Sequence, residues 1–192
     1  MRLREICCDP RLVADNWTGS SAKLEACLEL VTEAVAGGHR ILLFSQFTSM
    51  LELLAKRLDE AGVSHFTLQG STPKPVRAEQ VRRFNQGEAD VFLISLRAGG
   101  TGLNLTAADI VIHYDPWWNL AAQNQATDRA YRIGQRNPVQ VYRLIAQDTI
   151  EEKIVELQQA KQSLADTVTG GADGAILSMN PEQLLQLLGE EA

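Results

Sequence analysis

Apolar residues along this chain follow two alternating patterns. Short continuous apolar runs predict strands buried in a sheet, and apolar residues spaced three and four positions apart predict helices with one buried face. Because helical patterns separate the strands, the sequence predicts an α/β fold: a doubly wound parallel sheet flanked by helices. The predicted strands cover residues 40–44, 64–68, 91–95, 109–114 and 139–146.

The predicted helices between the strands have recognisable ends. The first covers residues 22–36 and ends at Gly37, the second ends at Gly62, and the third is opened by Pro73 and Pro75. Glycine commonly follows the last turn of a helix, and proline fits the first turn. Ligands of open parallel sheets bind at the carboxyl ends of the strands, so we expect function in the loops that follow them.

The pattern changes after residue 146. Ile150, Ile154 and Leu157 fall on one side of a long predicted helix, and a short helix is predicted over residues 181–188. We predict that these C-terminal helices act as braces packed on the α/β core.

Composition narrows the class of protein. With 192 residues, 45% of them hydrophobic and 22% charged, the chain is long enough to bury one substantial core. No apolar stretch reaches the roughly 18 residues of a membrane helix, so we expect a cytoplasmic, nucleoid-associated protein without a membrane partner. Adjacent Cys7 and Cys8 and the distant Cys27 match neither a disulfide framework nor a zinc site, and no metal site is predicted.

The charge of the chain is unevenly distributed. The net charge is −6, but residues 1–147 carry 16 basic and 15 acidic side chains, whereas residues 148–192 carry 2 and 9. The acidity therefore belongs to the C-terminal part, and any contact with nucleic acid must come from a local patch. The candidates for such a patch are Lys74, Arg77, Arg82, Arg83 and Arg97.

Two arginines stand out in the segment QATDRAYRIGQ, residues 125–135. Arg129 and Arg132 are three positions apart, so on a helix they would share a face and could direct two guanidinium groups at one polyanion. A phosphoryl group in its transition state is such a target.

A glycine-rich segment, SLRAGGTGLNL, follows the third predicted strand at residues 95–105. Glycines let a backbone approach phosphate closely, but the dinucleotide pattern G-x-G-x-x-G fails because Leu105 replaces its last glycine, and no G-K-[ST] is present. A phosphate-facing loop and a tight strand-to-helix turn both remain open on this pattern alone. Trp117 and Trp118 follow the fourth predicted strand, where they could reach a partner or pack against the next helix.

Several motifs together resemble one family. Their order and spacing are similar to those of the C-terminal helicase-like lobe of the Swi/Snf family in helicase superfamily two, of bacterial or archaeal type. Tyr131 stands where histidine is frequent in that family, and Cys8-Asp9 where Asn-His is frequent. The matching segments are residues 3–10, 41–47 (ILLFSQF), 68–72 (LQGST), 95–105, 118–119, 125–135 and 148–154.

The resemblance implies a RecA-like lobe over residues 20–147, preceded by a linker at 1–19 and followed by brace helices at 148–192. It implies that Arg129 and Arg132 act as arginine fingers, with Gln125, Gly100 and Gly102 lining the nucleotide cleft. It also implies a DNA-facing set that holds phosphates without reading bases. That set is Ser45, Gln46, Gly70, Ser71, Thr101, Asn104 and Trp118.

The parts that bind ATP are absent from this sequence. A motor of this class needs a G-x-x-x-x-G-K-[ST] loop and an acidic strand end for Mg²⁺, and the resemblance places both on a first lobe. We therefore expect ATP and Mg²⁺ only in a complete two-lobe motor, and neither bound to this chain alone. The expected partners are the N-terminal lobe of the same parent protein, double-stranded DNA, and a protein such as RNA polymerase.

Two other interpretations compete with the motor. A Rossmann-type dinucleotide enzyme is disfavoured by the broken glycine pattern. A docking module that keeps the motor fold without taking part in ATP turnover is favoured by the acidic C-terminal part and by the leucines of residues 184–188.

Overall fold

The computed structural model of the chain describes residues 2–14, 16–96, 98, 103–131 and 138–169, with side chains described up to residue 163. The chain divides into two compact units, Met1–Val155 and Glu156–Ala192. The helices are α1 (Arg2–Cys8), α2 (Ala22–Ala36), α3 (Thr48–Glu60), α4 (Lys74–Asn85), α5 (Leu120–Thr127) and α6 (Ile150–Thr169). The strands are β1 (Ile41–Ser45), β2 (His65–Leu68), β3 (Val91–Ser95), β4 (Ile110–His113) and β5 (Gln140–Arg143).

The five strands form one sheet in the order β2-β3-β1-β4-β5, and every neighbouring pair is parallel. The chain starts at the centre with β1, moves outward to β2, and later crosses to β4 and β5 on the other side. This reversal of direction is what makes the sheet doubly wound, and it confirms the predicted fold class. The register brings Ser45 level with Ser95. The loops that follow the strands therefore meet at one edge of the sheet.

Both faces of the sheet are covered, which explains the continuous apolar runs of β1 and β3. Alternate residues of a strand point to opposite faces. Leu43 and Leu93 belong to the core on the side of α2 and α3. Leu42 and Phe92 belong to the core that includes residues of α4 and α5. Each fully buried side chain of this size contributes about 1.5–3 kcal/mol by leaving water.

The segment before the sheet is built into the first unit. Residues 2–8 form α1, and Cys8 at its end is completely buried in the core beneath α2 and α3. Ser21 caps α2, its hydroxyl accepting a hydrogen bond from the backbone N–H of Leu24 at 3.4 Å. Gly62 follows α3 with φ +70°, a conformation that side chains other than glycine resist.

Most predicted elements are confirmed within one or two residues, including α2 over Ala22–Ala36 and β3 over Val91–Ser95. The fifth strand is shorter than predicted, since β5 stops at Arg143. Among the described strands β5 pairs with β4 alone, and the β4 ladder ends at His113, which pairs with Arg143. The predicted helix at residues 181–188 lies outside the described residues.

A helical face shared by Arg129 and Arg132, which the sequence analysis considered, does not form at Arg129. Helix α5 ends at Thr127, and Arg129 lies in the turn that follows. The Thr127 hydroxyl donates to the carbonyl oxygen of Gln123 at 3.3 Å and contacts Nε2 of His113 at 2.9 Å, and such side-chain bonds compete with helix continuation. Arg132 lies outside the described residues.

Candidate functional site

The sequence-predicted site residues that the structure describes lie at the carboxyl edge of the sheet or in the segments that follow it. Gly70 and Ser71 are exposed after β2, and Asn104 is exposed in the segment between β3 and β4. Trp118 follows β4, with 48% of its surface exposed. Ser45 ends β1 and is fully buried, and Gln46, which follows it, is partly buried. Gly100, Thr101, Gly102 and Arg132 lie outside the described residues.

A buried carboxylate, Asp115, joins the loops that follow β1 and β4. Its Oδ1 accepts a hydrogen bond of 2.5 Å from the Ser45 hydroxyl, and its Oδ2 accepts one of 2.6 Å from the Gln46 side-chain amide. The Gln46 backbone N–H lies 3.3 and 3.4 Å from the two oxygens. The Ser45 hydroxyl in turn accepts from the N–H of Phe47 at 3.1 Å. Asp115, 1% exposed, therefore fixes the conformation of the residues that follow β1.

The sequence analysis assigned no role to Asp115. The signal was an acidic residue directly after an apolar strand, a place where a carboxylate is buried and must find donors on a neighbouring strand. Burial raises the pKa of Asp115, while the hydrogen bonds from Ser45 and Gln46 and the positive charge of Lys23 oppose that rise.

A buried ion pair between Lys23 and Glu151 lies near Asp115. Nζ of Lys23 on α2 lies 2.7 and 2.6 Å from the two carboxylate oxygens of Glu151 on α6, with only 7% and 1% of the side chains exposed. Glu151 also accepts a 2.8 Å hydrogen bond from the N–H of Ala146, and the Lys23 Nζ lies 5.2 Å from the centre of the Tyr114 ring. The pair thus connects α2 and the start of α6 to the segment that follows β4.

Residues at the end of α1 complete this network. The Tyr114 hydroxyl donates to the carbonyl oxygen of Cys8 at 2.9 Å. Burial raises the pKa of the Cys8 thiol, and it raises that of Cys27 to about 12. Both cysteines are therefore neutral thiols at physiological pH, as packing residues should be.

Trp118 is held from one side by α1. The Arg4 guanidinium carbon lies 5.6 Å from the centre of the Trp118 ring and 5.9 Å from that of Phe47. Nη2 of Arg4 donates a 2.7 Å hydrogen bond to the carbonyl oxygen of Pro116. One side chain of α1 thereby contacts both of the loops that Asp115 joins.

Gln125 and Arg129 occupy different environments at the end of α5. Gln125 is exposed on the helix, whereas Arg129 is only 3% exposed. The Arg129 carbonyl oxygen accepts a 3.2 Å hydrogen bond from the N–H of Leu105, the last residue of the glycine-rich segment. The turn that carries Arg129 is therefore attached to the segment between β3 and β4.

Two of the five residues predicted for a basic patch, Arg82 and Arg83 on α4, are ion-paired, and a third, Arg97, lies outside the described residues. Arg82 pairs with Glu79 at 2.5 Å, and Arg83 pairs with Glu88 at 2.7 Å. Arg77 donates to the carbonyl oxygen of Ala98 at 3.1 Å, a contact that ties α4 to the segment after β3. Because each of the two ion-paired arginines faces a glutamate, α4 offers a polyanion less positive charge than the sequence suggested.

Within residues 2–14, 16–96, 98, 103–131 and 138–169, no three His, Cys, Asp or Glu side chains are grouped to hold a metal ion. In the same ranges no helix is long and apolar enough to cross a membrane.

The parallel sheet, its order and the loops gathered at its carboxyl edge define a RecA-like α/β lobe. The family model described as "Helicase conserved C-terminal domain" matches residues 22–134. The chain belongs to this family, as the C-terminal lobe of a Swi/Snf-type, superfamily-two ATPase. The predicted family is thereby confirmed.

Known relatives support this assignment. The chain is 41% identical over 97% of its length to an uncharacterized ATP-dependent helicase of Mycoplasma pneumoniae. It is 42% identical over 97% of its length to YwqA of Bacillus subtilis, named as a putative ATP-dependent helicase/translocase, and 46% identical over 86% of its length to the chromatin-remodeling ATPase INO80 of Aspergillus terreus. It spans only 18%, 21% and 10% of these proteins.

The fold also matches a solved structure. The C-terminal part of the Fun30 ATPase domain superposes with a TM-score of 0.69 at 33% identity, covering 81% of this chain and 53% of the other. The names of the relatives describe ATP-dependent helicases and a chromatin-remodeling ATPase.

Proposed function

We propose that this chain is the second motor lobe of an ATP-dependent translocase that moves on double-stranded DNA. One observation supports this most strongly. The Asp115 carboxylate binds Ser45 and Gln46, so that the loops after β1 and β4 form one unit at the carboxyl edge of the sheet. A rigid edge of this kind suits a lobe that must transmit a displacement to a bound strand.

The DNA-facing surface in this proposal comprises the described residues Gly70, Ser71, Asn104 and Trp118, together with Thr101. The exposed hydroxyl of Ser71 and the backbone N–H groups near Gly70 are donors that suit phosphate oxygens and read no base. The half-exposed Trp118 offers a flat apolar surface to a sugar or groove wall. Ser45 and Gln46 contribute by shaping the loop, since Asp115 already engages their side chains.

In this proposal the chain forms one side of the ATP-binding site. The described residues hold no cluster of three metal-ligating side chains, and the sequence has no G-x-x-x-x-G-K-[ST] loop, so the partner lobe would hold both the nucleotide and Mg²⁺. Hydrolysis of ATP supplies the free energy for movement. In our proposal Gln125, Gly100 and Gly102 line the cleft from this side, and Arg129 and Arg132 direct positive charge toward it.

Arg129 and Arg132 have different requirements in this proposal. With 3% of its surface exposed, Arg129 must act through the turn that it anchors, or become exposed when the lobes close. Closure of lobes on a nucleotide commonly completes a catalytic site in this way.

The test is ATP hydrolysis by the full-length protein that carries this chain, with and without double-stranded DNA. Arg132→Ala and Arg129→Ala should each lower DNA-stimulated turnover by about 10³-fold while DNA binding persists. Arg143→Ala, an exposed arginine on β5, removes the same charge and should leave turnover unchanged. Normal turnover in both test variants would reject the arginine-finger proposal and favour the docking module, for which RNA polymerase stays one candidate partner.

A further inference from the structure

Helix α1 contributes one side chain to the carboxyl edge of the sheet, Arg4, and no function is yet assigned to it. Its guanidinium carbon lies 5.6 Å from the Trp118 ring centre and 5.9 Å from the Phe47 ring centre. Both distances fall within the range in which a cation is attracted to an aromatic face. Nη2 of Arg4 adds a 2.7 Å hydrogen bond to the carbonyl oxygen of Pro116.

These three contacts use properties that only arginine combines. A planar guanidinium can present its face to a ring while its edge donates a hydrogen bond, whereas the ammonium of lysine is a compact charge. Arg4 therefore contacts two loops that are far apart in sequence, through Phe47 after β1 and through Pro116 and Trp118 after β4. Asp115 joins the same loops from the buried side.

Trp118 is a half-exposed indole that Arg4 contacts from one side. It precedes the N-cap of α5, Asn119, and 48% of its surface is exposed. An exposed indole without a fixed neighbour would sample several rotamers, and binding a ligand would then cost the entropy of ordering it. A cation stacked against the ring restricts those rotamers before any ligand arrives.

We propose that Arg4 is a positioning residue that holds Trp118 and the two loops in their DNA-binding conformation. This inference rests on the proposed function, because it assumes that Trp118 contacts DNA. Arg4 would act through Trp118 rather than by its own charge, so its loss should weaken DNA binding without changing the ATP-hydrolysing step.

The first measurement is hydrogen–deuterium exchange of the full-length protein without DNA. In Arg4→Ala, peptides covering residues 44–48 and 114–119 should exchange at least about fivefold faster, because two ring contacts and one hydrogen bond are lost. Arg4→Lys should behave like Arg4→Ala. Arg2→Ala, which removes the same charge from an exposed position on the same helix, should exchange like the wild type. Unchanged exchange in Arg4→Ala would overturn the proposal.

The second measurement is DNA-stimulated ATP hydrolysis. Arg4→Ala should raise the DNA concentration for half-maximal stimulation about fivefold and leave the maximal rate unchanged. In a Trp118→Ala background it should have almost no further effect, since it acts through that ring. Equal losses in Arg4→Ala and Arg2→Ala, or additive losses with Trp118→Ala, would overturn it. A wild type that DNA does not stimulate would reject the proposed function instead, and the exchange experiment would still decide whether Arg4 holds the loops.

Discussion

Nζ of Lys23 lies 2.6 Å from Oε2 of Glu151, and both side chains are almost completely removed from water. In a buried pair of this kind each charge depends on the other, because a charge without its partner would remain in a medium that solvates it poorly. The pair joins α2 to the first turn of α6, two elements that are separated by more than a hundred residues.

Removing either partner should therefore be costly. We expect Lys23→Met or Glu151→Leu to lower the free energy of unfolding by about 3–5 kcal/mol, since each leaves an uncompensated charge. The double variant should recover much of that loss, because two apolar side chains can pack together. Urea denaturation of the four proteins measures this. A double variant no more stable than the single ones would show that the hydrogen bond to Ala146, rather than the charge pair, matters.

A second prediction concerns the pH dependence caused by Asp115. Burial raises the folded-state pKa of this carboxyl above its unfolded value of 3.8. A raised pKa means that the folded protein binds the proton more tightly, so Asp115 favours folding at low pH and loses that contribution as the pH rises through the folded pKa.

Comparison with Asp115→Asn isolates this effect. The asparagine amide can replace the carboxylate if the Gln46 amide turns over, and it does not titrate. The unfolding free energy of the wild type should therefore increase relative to that of Asp115→Asn as the pH falls from 7 toward the unfolded pKa. A difference that is constant with pH would mean that Asp115 has an ordinary pKa.

A third prediction, of opposite sign, concerns His113. Burial, together with the charge of Arg143, lowers the pKa of His113 to about 4, and Nδ1 of its ring has no hydrogen-bond partner among the described residues. The stability that the neutral His113 side chain contributes is complete above the unfolded pKa of 6.5 and is lost as the pH falls through about 4. The loss amounts to about 3 kcal/mol of unfolding free energy.

Phenylalanine tests that prediction because it can keep the stacking of His113 on Phe44, whose ring centre lies 5.5 Å away. Between pH 6.5 and pH 4.5 His113→Phe should lose clearly less unfolding free energy than the wild type, because the titration of all other groups is common to the two proteins and cancels in the comparison. A wild type that loses no more stability than His113→Phe in this interval would contradict the assigned burial effect.

The fold was predictable from the sequence because the central strands of the sheet are covered on both faces. Strands such as β1 and β3 are buried on both faces, so their apolar runs are continuous and have clear ends. Helix α2 was equally clear, since Ser21 caps it and glycines follow it. At the edge of the sheet the signal is weaker, and β5 ends where its partner β4 ends rather than where its own apolar run stops.

The candidate site was only partly predictable. Motif order identified the loops, but the partners of each side chain depend on the crossing of strands that are distant in sequence. The pairing of Asp115 with Ser45 spans 70 residues, and that of Arg4 with Pro116 spans 112. Likewise, Arg82 and Arg83 of α4 were candidates for a contact with nucleic acid, but in the structure they form ion pairs with Glu79 and Glu88. Patterns in sequence reveal which residues carry chemistry, whereas tertiary contacts decide which of them remain free to use it.

Gly62 and Gly70 both have open surroundings but differ in backbone conformation. A Cβ added at Gly62 or at Gly70 would meet no atom within 4 Å, but only Gly62 has a positive φ, of +70°. Gly62→Ala should therefore lower the free energy of unfolding by about 1–2 kcal/mol and leave DNA affinity unchanged, since its cost is backbone strain at the end of α3. Gly70→Ala should leave the unfolding free energy nearly unchanged.

If the backbone at Gly70 approaches a DNA phosphate, as we propose, the added methyl group will hinder that approach. Gly70→Ala should then weaken binding of a short DNA duplex to the full-length protein about fivefold or more, the loss of roughly one hydrogen bond to a charged group. Urea denaturation and a titration at fixed salt measure the two effects separately. Unchanged DNA affinity in Gly70→Ala would place the loop after β2 away from the DNA, whereas a loss of stability would show that the methyl group disturbs the fold.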